Sequence, residues 1–355
     1  MPHRVIVWGT GNVGVPALRI VLSNPALQLA GVIVSNPAKV GKDAGELCGL
    51  PPTGIRATDD VAAALAAGAD AVAYCASGDF RPTEALDDIE RCLRAGLNVV
   101  STSVYPLYDP RSAPDDLRQR IGAACNAGGA SIFVSGVDPG FINDVIPLLL
   151  SGLCERVDEI RAFELFNYST YAQPDAVRNL VGLGQPMSAT PPMLTPGVPT
   201  MVWGGAIHLM ARGLGLPLDE IRETVEKRAL PHTVTTQLGQ FDAGSMGAFR
   251  LEIQGIVGGR PLLVVDHVTR IVNDIAPEWP MPRGDGAHGV ILTGRPNLTV
   301  TFDPEDERGS AAGGGNTTAA ARIVNAIPFV CQAPPGMLDA LDVPLPIGRG
   351  LVGGV

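Results

Sequence analysis

The first apolar run of the chain, Val5-Ile6-Val7-Trp8, ends in Gly9-Thr10-Gly11-Asn12-Val13-Gly14. G-x-G-x-x-G directly after a strand and at the start of a helix suits a dinucleotide. The first glycine permits the tight turn, the second lets backbone approach a pyrophosphate, and the third lets helix and strand pack closely. Unpaired N–H groups at the helix start then face the anion, aided by the helix dipole. A second predicted strand ends at Ser35 and Asn36, where a preference for NAD calls for Asp or Glu, and Lys39 follows. With no carboxylate to repel a 2′-phosphate and a lysine close by, NADP(H) is the expected cofactor, with NAD(H) left open.

In an open parallel sheet, ligands collect beyond the carboxyl ends of the strands. That places Ala76 and Ser77, and Thr102 and Ser103, beside the expected nicotinamide half of the cofactor. A glycine loop at 309–315 is expected to feed a helix capped by Asn316 or Thr317, whose free N–H groups could serve a carboxamide. Three residues can handle protons: Tyr105, whose phenol can protonate a developing alkoxide, and the carboxylates Asp138 and Glu164. Phe141, Asn167, Tyr168, Tyr171 and Trp203, with Tyr105, are the expected substrate lining. Glu164, Phe166 and Tyr168 share one side of a strand by their even spacing. Trp203, His208 and Trp279 read as wall or core rather than acid–base groups. The five histidines share no ligand spacing and the six cysteines form no C-x-x-C pair, so no metal and no thiol nucleophile are expected.

These residues need elements to hold them. Over the first 140 residues, strands at 4–8, 28–34, 70–75, 97–101 and 130–135 alternate with helices near 13–23, 59–67, 83–95 and 114–127. Continuous apolar strands alternating with helices predict a Rossmann-type doubly wound parallel sheet. Residues 141–310 read differently, with a long strand at 157–169, helical segments at 174–182 and 199–213, and hairpins at Gly258-Gly259 and near Arg295-Pro296. They predict an α+β substrate and dimerisation domain on an antiparallel sheet. Residues 311–355 are expected to form a C-terminal helix and tail that packs back towards the first domain.

The chain has 355 residues, 46% of them hydrophobic and 17% charged, as a globular protein of two cores requires. Mean hydropathy is +0.20, yet apolar stretches such as 145–154 are too short or broken to span a bilayer. The net charge of −10 and the lack of a Lys/Arg run argue against a nucleic-acid partner. The N-terminus enters a strand with no secretion-signal pattern, so a cytoplasmic protein is expected.

Four stretches, "VWGTGNVG", "SNPAKVGKDAGELCG" (35–49), "SGVDPGFINDVIP" (135–147) and "GGGNTTAAARIVNAIPFVCQAPPGMLDALDVPLP" (313–346), occur in order along nearly the whole chain. In them the sequence resembles the 2,4-diaminopentanoate dehydrogenases and NAD(P)H-dependent amine dehydrogenases, relatives of dihydrodipicolinate reductase. The resemblance implies a Rossmann domain, an antiparallel-sheet domain with a dimer contact, and hydride exchange between NAD(P)H and an amine-bearing carbon by way of an imine. One departure stands out. Amine-forming members carry a glutamate in a stretch resembling T-x-E-E-L-x-Y-P, whereas this chain has "STSVYPLYDP" (101–110), with Tyr105 and Pro106 at the acidic positions. The leading expectation is therefore an NAD(P)H-dependent oxidoreductase that reduces C=O or C=N in a small, largely apolar substrate. An amine dehydrogenase that uses Asp138 or Glu164 instead is the alternative, and a non-catalytic NADP-binding sensor is a third reading. The expected partners are a small ketone, imine or amine and a second copy of the chain.

Overall fold

Val5 and Val7 of strand β1 (His3–Trp8) point to one face of a sheet and Ile6 and Trp8 to the other, and all four are buried. In the computed structural model, which describes residues 1–79, 81–171, 173–349 and 351, both faces of that sheet are covered. The chain alternates β1, α1 (Gly14–Ser23), β2 (Leu27–Ile33), α2 (Ala44–Cys48), β3 (Ala57–Thr58), α3 (Val61–Leu65), β4 (Ala71–Tyr74), α4 (Pro82–Arg94), β5 (Asn98–Ser101), α5 (Asp115–Gly128) and β6 (Ser131–Val134). Two compact units result: residues 1–137 with 315–355, and residues 138–314.

The second unit runs α6 (Val145–Ser151), β7 (Arg156–Asn167), a π-helical turn at Ala176–Val181, α7 (Val198–Gly213), β8 (Glu220–Ala229), β9 (Val234–Thr236), β10 (Gly239–Phe241), β11 (Met246–Val257), β12 (Arg260–Arg270), β13 (Gly286–Arg295) and β14 (Leu298–Phe302). Six strands form one sheet in the order β14-β13-β7-β12-β11-β8. The two predicted hairpins pair β11 with β12 and β13 with β14. The sheet is not wholly antiparallel as expected, because β7 lies between β12 and β13 and pairs with β12 in parallel. The strand β8 had no counterpart in the sequence reading. Its polar run Glu220–Ala229 is mostly exposed, as at a sheet edge.

The chain re-enters the first unit within α8 (Ala311–Val324), followed by α9 (Ile327–Val330) and β15 (Gly336–Leu338). There the sheet is entirely parallel, in the order β15-β6-β5-β4-β1-β2-β3. Order reverses between β1 and β4, as in dinucleotide folds.

The expected glycine loop at 309–315 is helical from Ala311 onward. Helix α8 begins at Ala311, so Gly313, Gly314 and Gly315 are helical and Asn316 lies inside the helix rather than capping it. The Ser310 hydroxyl accepts from the Gly313 N–H at 3.1 Å and so caps the helix instead. A Cβ on Gly313 would lie 2.3 Å from the Asp306 carboxylate, and one on Gly314 would lie 2.5 Å from the backbone of 304–305. These glycines are therefore needed for close packing, which a reading of propensity takes for a break.

Candidate functional site

In the first unit the carboxyl ends of β1, β2, β4 and β5 carry the predicted nucleotide residues. Gly9 has φ +95°, and a Cβ there would press on the Cys75–Ala76 backbone at 3.0 Å. A Cβ on Gly14 would lie 2.0 Å from the Gly9 carbonyl oxygen, whereas one on Gly11 would meet nothing within 4 Å. The first and third glycines thus hold the turn against helix and strand, and the second leaves its outer side open. Helix α1 starts with no side-chain cap. This geometry fits a pyrophosphate. Lys39 is drawn onto the turn: its Nζ donates to the Thr10 carbonyl at 2.7 Å and to Thr10 Oγ1 at 3.1 Å. Ser35 is exposed, and Asn36 caps a short turn by accepting from the Ala38 N–H. Ser103 Oγ donates to the Ala76 carbonyl at 2.5 Å, which ties the β4 and β5 loops together. Ser77 Oγ bonds Asp79 at 3.2 Å, and Thr102 lends its carbonyl to the Tyr108 hydroxyl. Tyr105 follows Val104, which holds φ +68°, a costly conformation for a β-branched residue. The Tyr105 hydroxyl donates to Asp79 at 2.7 Å and its ring stacks on Tyr108.

The second unit gathers a different set of groups. Glu164 sits on β7, with His267 of β12 opposite it in the parallel register and His288 of β13 opposite it in the antiparallel one. Side chains directly opposite on neighbouring strands share a face, so all three converge. Glu164 Oε2 lies 3.2 Å from His288 Nε2, and Oε1 lies 3.3 Å from His267 Nδ1. His267 Nε2 bonds Thr269 Oγ1 at 2.9 Å, and Thr269 also hydrogen-bonds Tyr168. Trp203 of α7 donates its indole N–H to Asp138 Oδ1 at 2.5 Å and packs on the His267 ring at 5.1 Å. Both histidines are 2% exposed. Phe166 packs edge-on against His288, and a Cβ on Gly286 would lie 2.5 Å from the Phe166 ring.

Burial and the charge of Glu164 push the Asp138 carboxyl up to about 6, against the opposing pull of the two histidines and the Trp203 donor. Burial also works to raise Glu164, but His267 and His288 outweigh it and hold that carboxyl below its ordinary value. Burial opposes charge on His288, yet its hydrogen bond to Glu164 and the nearby carboxylates raise it above its ordinary value. Tyr168 is pushed far up, first by burial and then by Glu164. The cluster thus holds an ionised glutamate braced by imidazolium beside an aspartate that exchanges its proton near neutrality.

Of the expected acid–base residues, Asp138 and Glu164 come together, with Trp203 and Tyr168 in the same cluster. Tyr105 belongs to the first unit, where its proton is committed to Asp79. Tyr171 stacks on Tyr168 at 4.7 Å, Asn167 bonds Asn273, and Phe141 is half-buried just before α6. Trp203 was expected as wall, and its indole N–H on Asp138 gives it a polar role besides. His267 and His288 were missed: His288 lies 124 positions from Glu164, and only strand register joins them. Ligand atoms of Asp138, Glu164 and His288 lie within 4.8 Å of one another, a grouping that could hold a cation and that sequence spacing did not reveal. An open cleft of about 340 Å³ elsewhere in this unit is lined by Arg283, Asp285, Asp303 and Glu305 and includes none of the expected site residues. No helix among the described residues is long and apolar enough to cross a membrane.

Residues 141–354 match the 2,4-diaminopentanoate dehydrogenase C-terminal domain, and residues 3–103 match the dihydrodipicolinate reductase N-terminus. The chain is 57% identical over 352 residues to an amine dehydrogenase of Streptomyces virginiae, covering 98% of each. It is 27% identical to a 2,4-diaminopentanoate dehydrogenase of Acetoanaerobium sticklandii, over 63% of this chain and 60% of that one. An amine dehydrogenase structure from Mycobacterium smegmatis superposes with a TM-score of 0.75 at 21% identity, covering 99% and 98% of the two chains, which speaks for the fold. On the near full-length identity and the match across residues 141–354, this chain belongs to the family of amine and 2,4-diaminopentanoate dehydrogenases and is an oxidoreductase.

Proposed function

We propose that the protein interconverts a primary amine and its carbonyl compound with NADP(H), accepting NAD(H) less well, and that Asp138 and Glu164 do the proton and charge work that the family assigns to a glutamate missing after β5. The observation that carries this reading is the Asp138–Glu164–His288 grouping, an ionised carboxylate next to one that titrates near 6. Tyr105, the other candidate acid, already donates its hydroxyl hydrogen bond to Asp79. Support for NADP(H) comes from the lack of a carboxylate at Ser35 and Asn36 and from Lys39 on the Thr10 carbonyl.

In the direction of amination, ammonia adds to the carbonyl carbon to give a carbinolamine. Asp138, protonated, gives its proton to the departing hydroxyl, which leaves as water. Glu164 stabilises the positive charge on the resulting iminium, and two imidazoles keep Glu164 ionised for that task. The bound nicotinamide supplies hydride, two electrons and a proton's mass, to the iminium carbon. In the reverse direction Asp138 takes up a proton as water adds to the imine.

The test is the consumption of NADPH by a ketone with and without ammonium. Strict dependence on ammonium, and its loss in Asp138→Asn, are expected. Ketone reduction to the alcohol without ammonium would instead favour the carbonyl reductase reading.

A further inference from the structure

Glu164 Oε2 and His288 Nε2 lie 3.2 Å apart on neighbouring strands. Two ligand atoms about 2.0–2.1 Å from a tetrahedral cation stand about 3.3 Å from each other. The pair therefore already has the spacing of one edge of a coordination tetrahedron. A carboxylate oxygen of Asp138 lies within 4.8 Å of both atoms, so a shift of about 1.5 Å closes the triangle. The bonds around the trio are of the kind that orient metal ligands. Trp203 donates to Asp138 Oδ1, and Asn143, fully buried, turns its Nδ2 towards Asp138 Oδ2 at 3.4 Å. His267 Nδ1 and His288 Nδ1 are buried without a hydrogen bond among the described residues, the first of them 3.3 Å from Glu164 Oε1. Buried polar atoms in that state mark a catalytic role or a bound water or ion. The carboxylates remain reachable, since Glu164 is 12% exposed and Asp138 partly so.

We infer that Asp138, Glu164 and His288 form a binding site for a zinc-class divalent cation, and that a cation held there shuts off the chemistry of the same residues. One imidazole with two carboxylates favours Zn²⁺ or Co²⁺ over Mg²⁺ and Ca²⁺, which prefer all-oxygen shells. In the metal-free chain a proton bridges His288 Nε2 and Glu164. On binding, His288 releases that proton and offers the lone pair to the metal, while the two carboxylates balance its charge. Three protein ligands leave the fourth position to water. The binding half of the inference stands apart from the acid–base reading of the cluster; the inhibitory half rests on it.

Isothermal titration calorimetry on the untagged full chain, stripped with chelator, reads binding without turnover. Zn²⁺ should bind in the micromolar range at about one site per chain, and Asp138→Asn and His288→Gln should each weaken it at least about tenfold. Mg²⁺ at the same concentration should give no saturable heat. His232→Gln and Cys154→Ser remove groups elsewhere that could take zinc by chance, and should bind it as the wild type does. Where both cluster variants fail to fold, the wild type bearing Co²⁺ decides: the visible bands of a four-coordinate nitrogen–oxygen site are expected, without the near-ultraviolet band of a cobalt–thiolate bond. No saturable Zn²⁺ binding, full affinity in both cluster variants, loss of the site in His232→Gln or Cys154→Ser, Mg²⁺ binding as tight as Zn²⁺, or a thiolate band would overturn the inference. Zn²⁺ should also stop NADPH consumption in the amination assay in proportion to occupancy, with activity restored by EDTA. A zinc-loaded chain as active as the free one would overturn the inhibitory half together with the acid–base reading.

Discussion

Two alanine substitutions three residues apart, at Gly11 and Gly14, separate packing from binding in the glycine turn. At Gly14 a Cβ would lie 2.0 Å from the Gly9 oxygen and 2.7 Å from its carbonyl carbon. Backbone must move by more than an ångström to restore ordinary contact, and such overpacking costs about 1–3 kcal/mol. For a protein of 355 residues that lowers the melting midpoint by roughly 1–4 °C. At Gly11 the added methyl meets nothing within 4 Å and φ is not positive. Gly11→Ala should therefore melt at the wild-type temperature or slightly above it, since alanine restricts the unfolded chain. Its methyl would still stand where a pyrophosphate approaches the backbone. Losing one charge-assisted hydrogen bond costs about 1.5–3 kcal/mol, or roughly 10–150-fold in affinity. Differential scanning fluorimetry and a fluorescence titration with NADPH and NADH read the two effects separately. Wild-type nucleotide affinity in Gly11→Ala would refute the cradle, and an unshifted midpoint in Gly14→Ala would refute the packing argument.

Other outcomes follow from the second unit and from Lys39. With Asp138 near 6, oxidative deamination should rise as pH passes about 6 and the acid becomes a base, and Asp138→Asn should lose that limb together with about 10²–10⁴ in kcat. A pH–rate profile checks both, and a limb that persists in the variant would count against Asp138. His288 has a folded value above 6.5, so its pairing stabilises the fold below that pH and fades as pH climbs through the folded value. Glu164 lies below 4.5, so its share holds above that pH and fades on acidification through its folded value. The stability gap between wild type and His288→Gln, about 1–3 kcal/mol by urea unfolding, should thus be widest near pH 5–6.5 and shrink towards pH 9; a gap that ignores pH would contradict the pairing. Lys39→Ala should weaken NADPH about tenfold relative to NADH in a direct titration, and equal loss for both nucleotides would remove Lys39 from the discrimination.

The glycine turn after β1 was legible because its signal is local. Gly9 to Gly14 lie within one strand-to-helix turn, and each glycine has a steric reason that can be written down before the fold is known. The parallel sheet was legible for the same cause, as alternating apolar strands and helices. Glu164 and Asp138 could be named as candidates by residue type, but their partners could not. His267 and His288 reach Glu164 only through the registers β7–β12 and β7–β13, which depend on strand pairings between distant segments. The glycines of α8 misled because local propensity and tertiary packing disagree there, and Asp306 and Pro304 decide the matter. The parallel β7–β12 pair was hidden behind two correctly read hairpins, since hairpins say how neighbours in sequence pair and nothing about which strand separates them.

Glu164 lies on β7, the third strand of six, which is paired with a neighbouring strand on both flanks. Its two imidazole neighbours are therefore locked by the same ladder that holds the sheet together, and a slip of one position on either side would turn a histidine to the opposite face. Local fraying cannot release such a trio. The amide of Glu164 should exchange with deuterium at the rate of global unfolding, so the carboxylate–histidine cluster lasts as long as the fold itself.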